Sequence, residues 1–551
     1  MTQSGPQECD YLIVGGGLTG CTIASRLRSY GMEIVVLEAG VDASGNPDTT
    51  TPVGAFALAG TDLDWAFKTE PVANTSGRSH TVVAGKVLGG GSVLNYGGWS
   101  RGDRSDYDHW AKVVGDERWS YERQLPYFRK SECVLDTSID PEYRGSKGPL
   151  RVTSVSASDP KRIYGLREPL RSAWNELGVQ DVLKDSDIAG ISECLENFDD
   201  GLRQPAHLAY SLDGVQVVTG ALAYRVLFEK DGNQEPHVTG VLLEDGRQFK
   251  IRKEVIVCAG TMHTPQILML SGIGPSDMLA SFDIPPVVIS NNVGKNLFDH
   301  FALYQLWKLR SPEKGLAQGT PLWNDVAYAK GLPWDWIVNE MTPSQILGPG
   351  LEIDRKDGKV TTSETAALLD ERRCHVETLV IYSSLGAPVP ADGSIIATSV
   401  MLLLPSSRGE VGISSADPAI PPKISPNYYD TVSDRLTLIH GCRRLAQALL
   451  DTEAGKSVIE SEAPPPGMIA LTSQSTNDEF DQRIRDTGMA HYHAGGTAAM
   501  GKVVDTKLRV FGVRGLRVAD ASVLPVPLGG HPQASLYALA EQAVDLILED
   551  S

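Results

Sequence analysis

Two short stretches of the chain hold residue types that can do chemistry. In His491-Tyr492-His493-Ala494-Gly495-Gly496-Thr497, two imidazoles stand beside a glycine pair. Imidazole titrates near neutrality, so either ring could take or give a proton at a reacting atom. A lone histidine is more commonly a hydrogen-bonded structural residue, and these residues alone leave that plainer reading ahead. An H-x-H pair could also ligate a metal, but no Cys, His or carboxylate spacing elsewhere completes such a site. The second stretch sets Gly15, Gly17 and Gly20 in a G-x-G-x-x-G pattern, with Glu38 further along. Glycines so spaced permit a tight turn, let backbone approach a pyrophosphate, and let a helix pack closely on a strand. A carboxylate about twenty residues on can accept ribose hydroxyls.

The elements that must position these groups are legible nearby. Tyr11–Val14 is an apolar run ending in glycine, as a buried parallel strand should. Cys21, Ala24 and Leu27 recur at helical spacing, Gly31 can end that helix, and Ile34–Leu37 is a second strand carrying Glu38 at its C-terminal end. The helix N-terminus between them offers N–H donors and the positive end of its dipole to a phosphate. Two later segments bring more groups back. Residues 254–268 read as a buried strand ending at Ala259–Gly260, and 515–525 as a strand delivering Asp520. This arrangement is similar to two-dinucleotide-type flavoproteins, in which such an aspartate holds the ribityl chain or a phosphate-linked hydroxyl. No second strand–GxGxxG–helix unit is present, so a chain that binds FAD here has no separate site for NAD(P)H.

The last helix begins at His531-Pro532-Gln533. Pro532 sits where a first-turn proline belongs, and Leu536, Leu539, Ala540, Ala543, Val544 and Ile547 form one apolar face. Its N-terminus should therefore be buried beside His531. There the free N–H groups around Gln533 and Ala534 present partial positive charge.

Length and composition bound the rest. A chain of 551 residues is too long for one ordinary core, so two or more domains are expected. With 69 acidic against 50 basic residues the net charge is −19, which argues against nucleic acid or an anionic membrane as partner. Fifty-five glycines suit a loop-rich enzyme better than a helical bundle. Seven scattered cysteines make neither a CxxC pair nor a disulfide framework. No apolar run is long enough to span a bilayer, and "MTQSGPQECDYLIV" lacks an apolar signal region. Cytoplasmic residence is the expectation, and the sequon at Asn74–Ser76 matters only in an exported form.

Four separated motifs then carry a family likeness. "GKVLGGGSVLNYGGWSRG" (85–102), "GTMHTPQILMLSGIGP" (260–275), "VGKNLFDH" (293–300) and the segment from "HYHAGGTAAM" to "GGHPQASLYALAEQAVDLI" occur in that order. The chain resembles the glucose–methanol–choline (GMC) oxidoreductases, FAD-dependent alcohol oxidases and dehydrogenases; the likeness is thin over 306–485. The resemblance implies that His493 is the principal base and His531 its partner, while His491 has no counterpart and reads as a supporting residue. It implies FAD contacts at Gly15, Gly17, Leu18, Thr19, Gly20, Glu38, Ala39, Trp65, Leu88, Gly91, Asn95, Tyr96, Gly97, Val226, Ala259, Asp520, Ala521, Pro532 and Gln533. Some relatives link the flavin to a histidine just before the asparagine that matches Asn95. Here that position is Leu94, so non-covalent FAD is expected. Gly97 stands where a side chain is more usual, either widening the space near the flavin or serving as a plain backbone turn.

The resulting expectation is an α/β (α+β overall) protein. A Rossmann-like FAD-binding domain would comprise 1–150, 202–305 and 486–551. A discontinuous substrate domain, 151–201 and 306–485, would be built on a mostly antiparallel sheet, with "HVETLVIYSS" (375–384) and "GSIIATSVMLLL" (393–404) as strands. "SPEKGLAQG" and "DRKDGKV" read as solvated loops. Trp307, Trp323, Trp334 and Trp336 form either an apolar alcohol pocket or, the favoured reading, a loop-anchoring core.

The expected reaction is oxidation of a primary or secondary alcohol. His493 takes the hydroxyl proton, His531 orients the same oxygen, hydride passes to flavin N5, and electrons leave to O2 or an external acceptor, within intracellular secondary metabolism. The helix-531 N–H groups would face the flavin C2 carbonyl and favour the anionic reduced ring. A redox-silent lyase of the hydroxynitrile type on the same scaffold is the alternative, and a non-catalytic flavin-binding interaction protein is the third reading.

Overall fold

The computed structural model describes residues 7–182, 187–230, 232, 234–370, 372–385, 389 and 392–550. Two seven-stranded sheets organise the chain. In the first, strands run in the order Gln216–Val218, Ile34–Leu37, Gln7–Val14, Gln248–Val257, His237–Leu243, Ala223–Glu229, and Leu516–Val518 pairs alongside the C-terminal half of Gln248–Val257. The pairings that join Gln216–Val218, Ile34–Leu37, Gln7–Val14, Gln248–Val257 and Leu516–Val518 are parallel, whereas the 223–229 and 237–243 strands are added antiparallel. Ile34–Leu37 is buried at all four positions, the mark of a parallel strand covered on both faces. Parallel strands share one C-terminal edge. Gly15, Glu38, Ala259 and Asp520 therefore all emerge on the same rim, where α/β sheets bind ligands.

The glycine pattern at the first turn has a steric cause. Gly15 adopts φ +105, and a Cβ there would lie 2.3 Å from Cys258 O. Gly20 stands in the helix Leu18–Ser29, where a Cβ would lie 2.0 Å from Gly15 O. Backbone cannot yield at that distance without pushing helix away from strand. Gly20→Ala is expected to cut the bound-flavin content of purified protein at least tenfold, read as the ratio of flavin to protein absorbance, and a variant that keeps its full yellow colour would refute the steric role.

In the second sheet every pairing is antiparallel, in the order Ile459–Glu462, Phe301–Leu309, Ile395–Leu402, Val376–Ile381, Trp334–Glu340, Gly190–Glu193, with Met489–Ala490 beside Phe301–Ala302. The expected strands within 375–384 and 393–404 are both present. The boundary expected between 305 and 306 instead falls inside the strand Phe301–Leu309, so residues 301–305, assigned from sequence to the nucleotide unit, pair in the antiparallel sheet. Met489–Ala490 does the same from the C-terminal segment.

Two further expectations need correction. "DRKDGKV" is not simply a solvated loop: Asp354 to Lys356 end the helix Ser344–Lys356. Asp354 is fully buried and accepts from the N–H groups of Val432 and Ser433 (both 2.8 Å) at the start of helix Val432–Leu450, a carboxylate on a helix N-terminus. The last helix, Pro532–Glu549, is not amphipathic with one buried stripe; it is buried nearly all round. Glu541 lies fully buried because Arg26, Lys130 and the Tyr210 hydroxyl converge on it, and Gln542 because Gln124 donates to it. Removing Arg26 would leave that carboxylate to Lys130 and the Tyr210 hydroxyl and is expected to lower stability.

Candidate active site

A cavity of 370 Å³ runs from the strand rim to the antiparallel sheet. Of the residues expected to hold FAD, Gly15, Gly17, Leu18, Thr19, Glu38, Ala39, Trp65, Gly91, Asn95, Tyr96, Gly97, Ala259, Asp520, Ala521, Pro532 and Gln533 line it. Three do not. Gly20 packs behind the turn, as described above. Leu88 is buried against Gly16, and Val226 lies deeper in its strand, where its N–H donates to Ser271 Oγ. At that strand Ala221, Leu222 and Ala223 form the wall instead, a displacement of three residues from the expected contact.

The groups present suit a dinucleotide. Glu38 is 95% buried, and its oxygens accept from the N–H groups of Gly16 (2.9 Å) and Gly40 (2.8 Å). Burial pushes this carboxyl up to about 7, so a hydroxyl donor arriving in the cavity relieves a real penalty on the charged form. Asp520 accepts from Gly260 N–H, Thr264 Oγ1 and Ser522 N–H, which fixes it at the rim with lone pairs left over. A Cβ on Gly90 would lie 2.7 Å from Gly17 Cα, so the two glycine turns meet backbone to backbone and leave the cradle open.

At the far end, Asn95 ties the signature loop to the last helix. Its Oδ1 accepts from Gly97 N–H (3.0 Å), its Nδ2 donates to Gln533 Oε1 (3.0 Å), and Gln533 Nε2 donates to Gly98 O (2.7 Å). Gly97 is a turn: φ is +76, and the ring of Phe198 occupies the place a Cβ would take, 2.6 Å away. The wider-space reading is not supported. Leu94 also lines the cavity and offers no nucleophile.

The two histidines, 38 positions apart in sequence, converge. The rings of His493 and His531 have centroids 4.9 Å apart, and both line the cavity. His531 is the N-cap of the last helix, and Pro532 begins it. Its Nε2 is 2.7 Å from Glu377 Oε1, leaving Nδ1 on the side of Gly98. Burial alone would lower this imidazole; the Glu377 carboxylate outweighs burial and holds it above the ordinary value. His493 is displaced the other way. Burial first, then the neighbouring His531, His491 and His300, hold it well below the ordinary histidine range. Burial thus favours the neutral form of one ring and Glu377 favours the cation of the other, the opposed settings a base and an electrostatic partner need.

His300 settles which nitrogen of His493 is free. The two Nδ1 atoms are 3.0 Å apart. Burial drives His300 down to about 3, so it is neutral. The Nδ1–Nδ1 contact needs one ring to donate and the other to accept, and it leaves His493 Nε2 as the nitrogen not engaged with His300. The backbone is pinned as well: His493 N–H donates to Asp299 Oδ1 (2.7 Å) and His491 N–H to His300 O (2.8 Å), which hold Tyr492 between them at φ +64.

His491 stacks on Tyr304 (5.8 Å) with Nε2 3.4 Å from Ser399 Oγ, and it lines the cavity beside His493 and His531. Although four imidazoles crowd together, no group of His, Cys, Asp or Glu among the described residues could hold a metal ion. Of the four tryptophans, Trp334 lines the cavity, whereas Trp307, Trp323 and Trp336 are anchored in the core by hydrogen bonds to Thr398, Gly315 and Arg167. Sequence reasoning missed Glu377 and His300. The signal for Glu377 was a carboxylate inside an otherwise apolar strand; His300 ends a motif whose last two residues had no assigned purpose.

Comparison with known proteins agrees with this geometry. Residues 9–302 and 405–540 match the two sequence models of the GMC oxidoreductases. The chain is 40% identical over 547 residues to the GMC-type oxidoreductase acuG of Aspergillus aculeatus, covering 98% of this chain and 99% of that protein. It is 32% identical to an oxygen-dependent choline dehydrogenase of Pseudomonas fluorescens, over 98% of this chain and 94% of the relative. Among solved structures, formate oxidase superposes with a TM-score of 0.86 at 27% identity, covering 99% of both chains. The chain belongs to the GMC oxidoreductase family and is an FAD-dependent enzyme of that class. No helix among the described residues is long and apolar enough to cross a membrane.

Proposed function

We propose that the protein oxidises a primary or secondary alcohol at the His493–His531 pair and passes the electrons to O2 or another acceptor. The observation that carries this reading is the pair of rings 4.9 Å apart with opposed electrostatics: burial disfavours the cation at His493, whose Nε2 is not engaged with His300, and Glu377 favours it at His531. His493 Nε2 takes the hydroxyl proton. His531 Nδ1–H donates to the same oxygen as it gains alkoxide character, in a buried setting where such a hydrogen bond is strongest. Two fixed contacts on one oxygen also orient the carbon, supplying part of the barrier reduction through proximity. FAD, which the rim residues and the Asn95–Gln533 bridge would hold, would supply the hydride acceptor. The free N–H groups around Gln533 and Ala534 would present partial positive charge to it. The 32% identical choline dehydrogenase, whose name specifies an alcohol substrate and oxygen dependence, supports this reading.

The test is anaerobic addition of a broad panel of alcohols to the yellow protein. Bleaching with one carbonyl product per flavin is the expected result. Aldehyde release with the flavin still oxidised would support the lyase reading instead. Because Leu94 occupies the position where some relatives carry a linking histidine, we propose that the flavin is non-covalent. Acid precipitation should release essentially all of the yellow colour into the supernatant, and colour retained in the pellet would contradict the assignment.

A further inference from the structure

A second cavity, of 580 Å³, lies beside the first. Gly98, Trp334, Leu379 and His531 line both, so these residues stand at the junction of the two spaces, and one of them is a catalytic ring. Two of the junction rings are pinned. Trp334 Nε1 donates to Glu196 Oε1 (2.7 Å), and the buried Glu196 accepts from both terminal nitrogens of the buried Arg162 (2.5 and 3.0 Å). His531 Nε2 is 2.7 Å from Glu377 Oε1. Leu379 follows Glu377 by two positions on one strand, so both side chains point to the face that meets His531. Gly98 alone puts nothing into the junction. A Cβ there would lie 3.2 Å from His531 Nδ1 and 3.4 Å from Trp334 Cη2, touching the catalytic ring and the indole at once. Neither pinned ring can yield easily. Unlike Gly97, Gly98 does not adopt a positive φ, so its backbone would accept any side chain. What its missing side chain provides is space, and the residue is partly exposed to that space.

We propose that Gly98 is a specificity-determining residue: the opening it leaves lets an alcohol hold its carbinol at the catalytic pair while the rest of the molecule extends into the second cavity. This rests on alcohol oxidation at His493 and His531. The second cavity has the size of a small-molecule site, roughly 300–1,000 Å³, and so has room for far more than the simplest alcohols. Its wall carries Arg101, Arg144, Asp136, Asp140, Glu142 and Glu193. Both signs of charge are present there; Glu132 engages the two arginines, and Arg167 engages Glu193. A neutral polar group therefore enters at a lower desolvation cost than a net charge of either sign. The substrate class is an extended alcohol, apolar where it passes Trp334 and Leu379, and neutral and polar at its far end.

Matched pairs of alcohols test this: benzyl alcohol against 4-acetamidobenzyl alcohol, and hexan-1-ol against 6-acetamidohexan-1-ol. The kcat/KM for flavin reduction should favour the extended member of each pair by at least about tenfold, because contacts remote from the reacting carbon contribute binding energy. Gly98→Ala should bring that ratio to within about threefold, chiefly by raising KM for the extended member, since its methyl group narrows the junction. Flavin content should hold, because Gln533 bonds the Gly98 carbonyl and not a side chain. Leu379→Phe narrows the same junction from the opposite side, and it serves if the alanine variant loses its flavin or does not fold. Equal kcat/KM values within both pairs for the unmodified protein would overturn the assignment. So would a variant that slows both members of a pair equally, because the added atoms would then disturb His531 rather than select by size. Failure of every alcohol to bleach the flavin is a different result: it removes the oxidation reading, and this proposal with it.

Discussion

Replacing His493 with alanine should slow anaerobic flavin reduction by about 10³-fold while leaving the bound FAD in place. The magnitude is that of a general base removed from a proton transfer, which contributes typically 10²–10⁴-fold. FAD should stay because the groups expected to hold its nucleotide half, Glu38, the glycine turns and Asp520, are on the strand rim and are fixed by hydrogen bonds to Gly16, Gly40, Gly260 and Thr264 rather than to His493. Rapid-mixing absorbance with a good alcohol measures the rate, and the flavin-to-protein ratio measures retention. The loss should appear in the limiting rate rather than in the substrate concentration at half-saturation, because the proton transfer is made in the transition state. A variant within tenfold of the unmodified rate would remove His493 from the base role.

Glu377→Gln should give the second largest effect, about 10²-fold at neutral pH, with a distinctive pH dependence. A carboxylate 2.7 Å from His531 Nε2 raises that ring's pKa against the opposing effect of burial. A raised pKa means the cation is present at low pH and lost as pH rises through the folded value. Glutamine leaves burial unopposed, so the charge is lost at lower pH, and the alkaline fall in the reduction rate should move in the acid direction. The acid side should hardly move, because His493 is already held well below the ordinary histidine range by burial and its neighbouring rings. The lost donor strength at a developing alkoxide sets the magnitude, since one such hydrogen bond is worth about 10²–10³-fold. A pH profile of the same shape and position in both proteins would show that Glu377 acts only as a structural partner.

Much of the nucleotide end is legible in the chain because its determinants are local. The turn at Gly15, the helix from Leu18 and the strand ending at Leu37 are set by residues within one βαβ unit, and each appears where periodicity and steric need place it. The resemblance supplied His531, which no local pattern marks. The misses are long-range. Glu377 meets His531 only because a strand of the antiparallel sheet passes over the last helix, a contact across 154 positions. His300 engages Nδ1 of a ring 193 positions away. The burial of Glu541 depends on Arg26, 515 positions distant, so the last helix read as amphipathic from its own residues alone. Val226, expected at the cofactor, lies outside the cavity lining, which that strand reaches at Ala223.

The account turns on hydride leaving an alcohol carbon once His493 has taken the neighbouring proton. Anaerobic rapid mixing with an alcohol deuterated at that carbon tests it most directly. The account predicts that flavin bleaching slows several-fold with the deuterated substrate, that the carbonyl product appears at the same rate, and that both signals vanish together in His493→Ala. Carbonyl release that outpaces bleaching, or bleaching indifferent to both deuterium and His493, would contradict it.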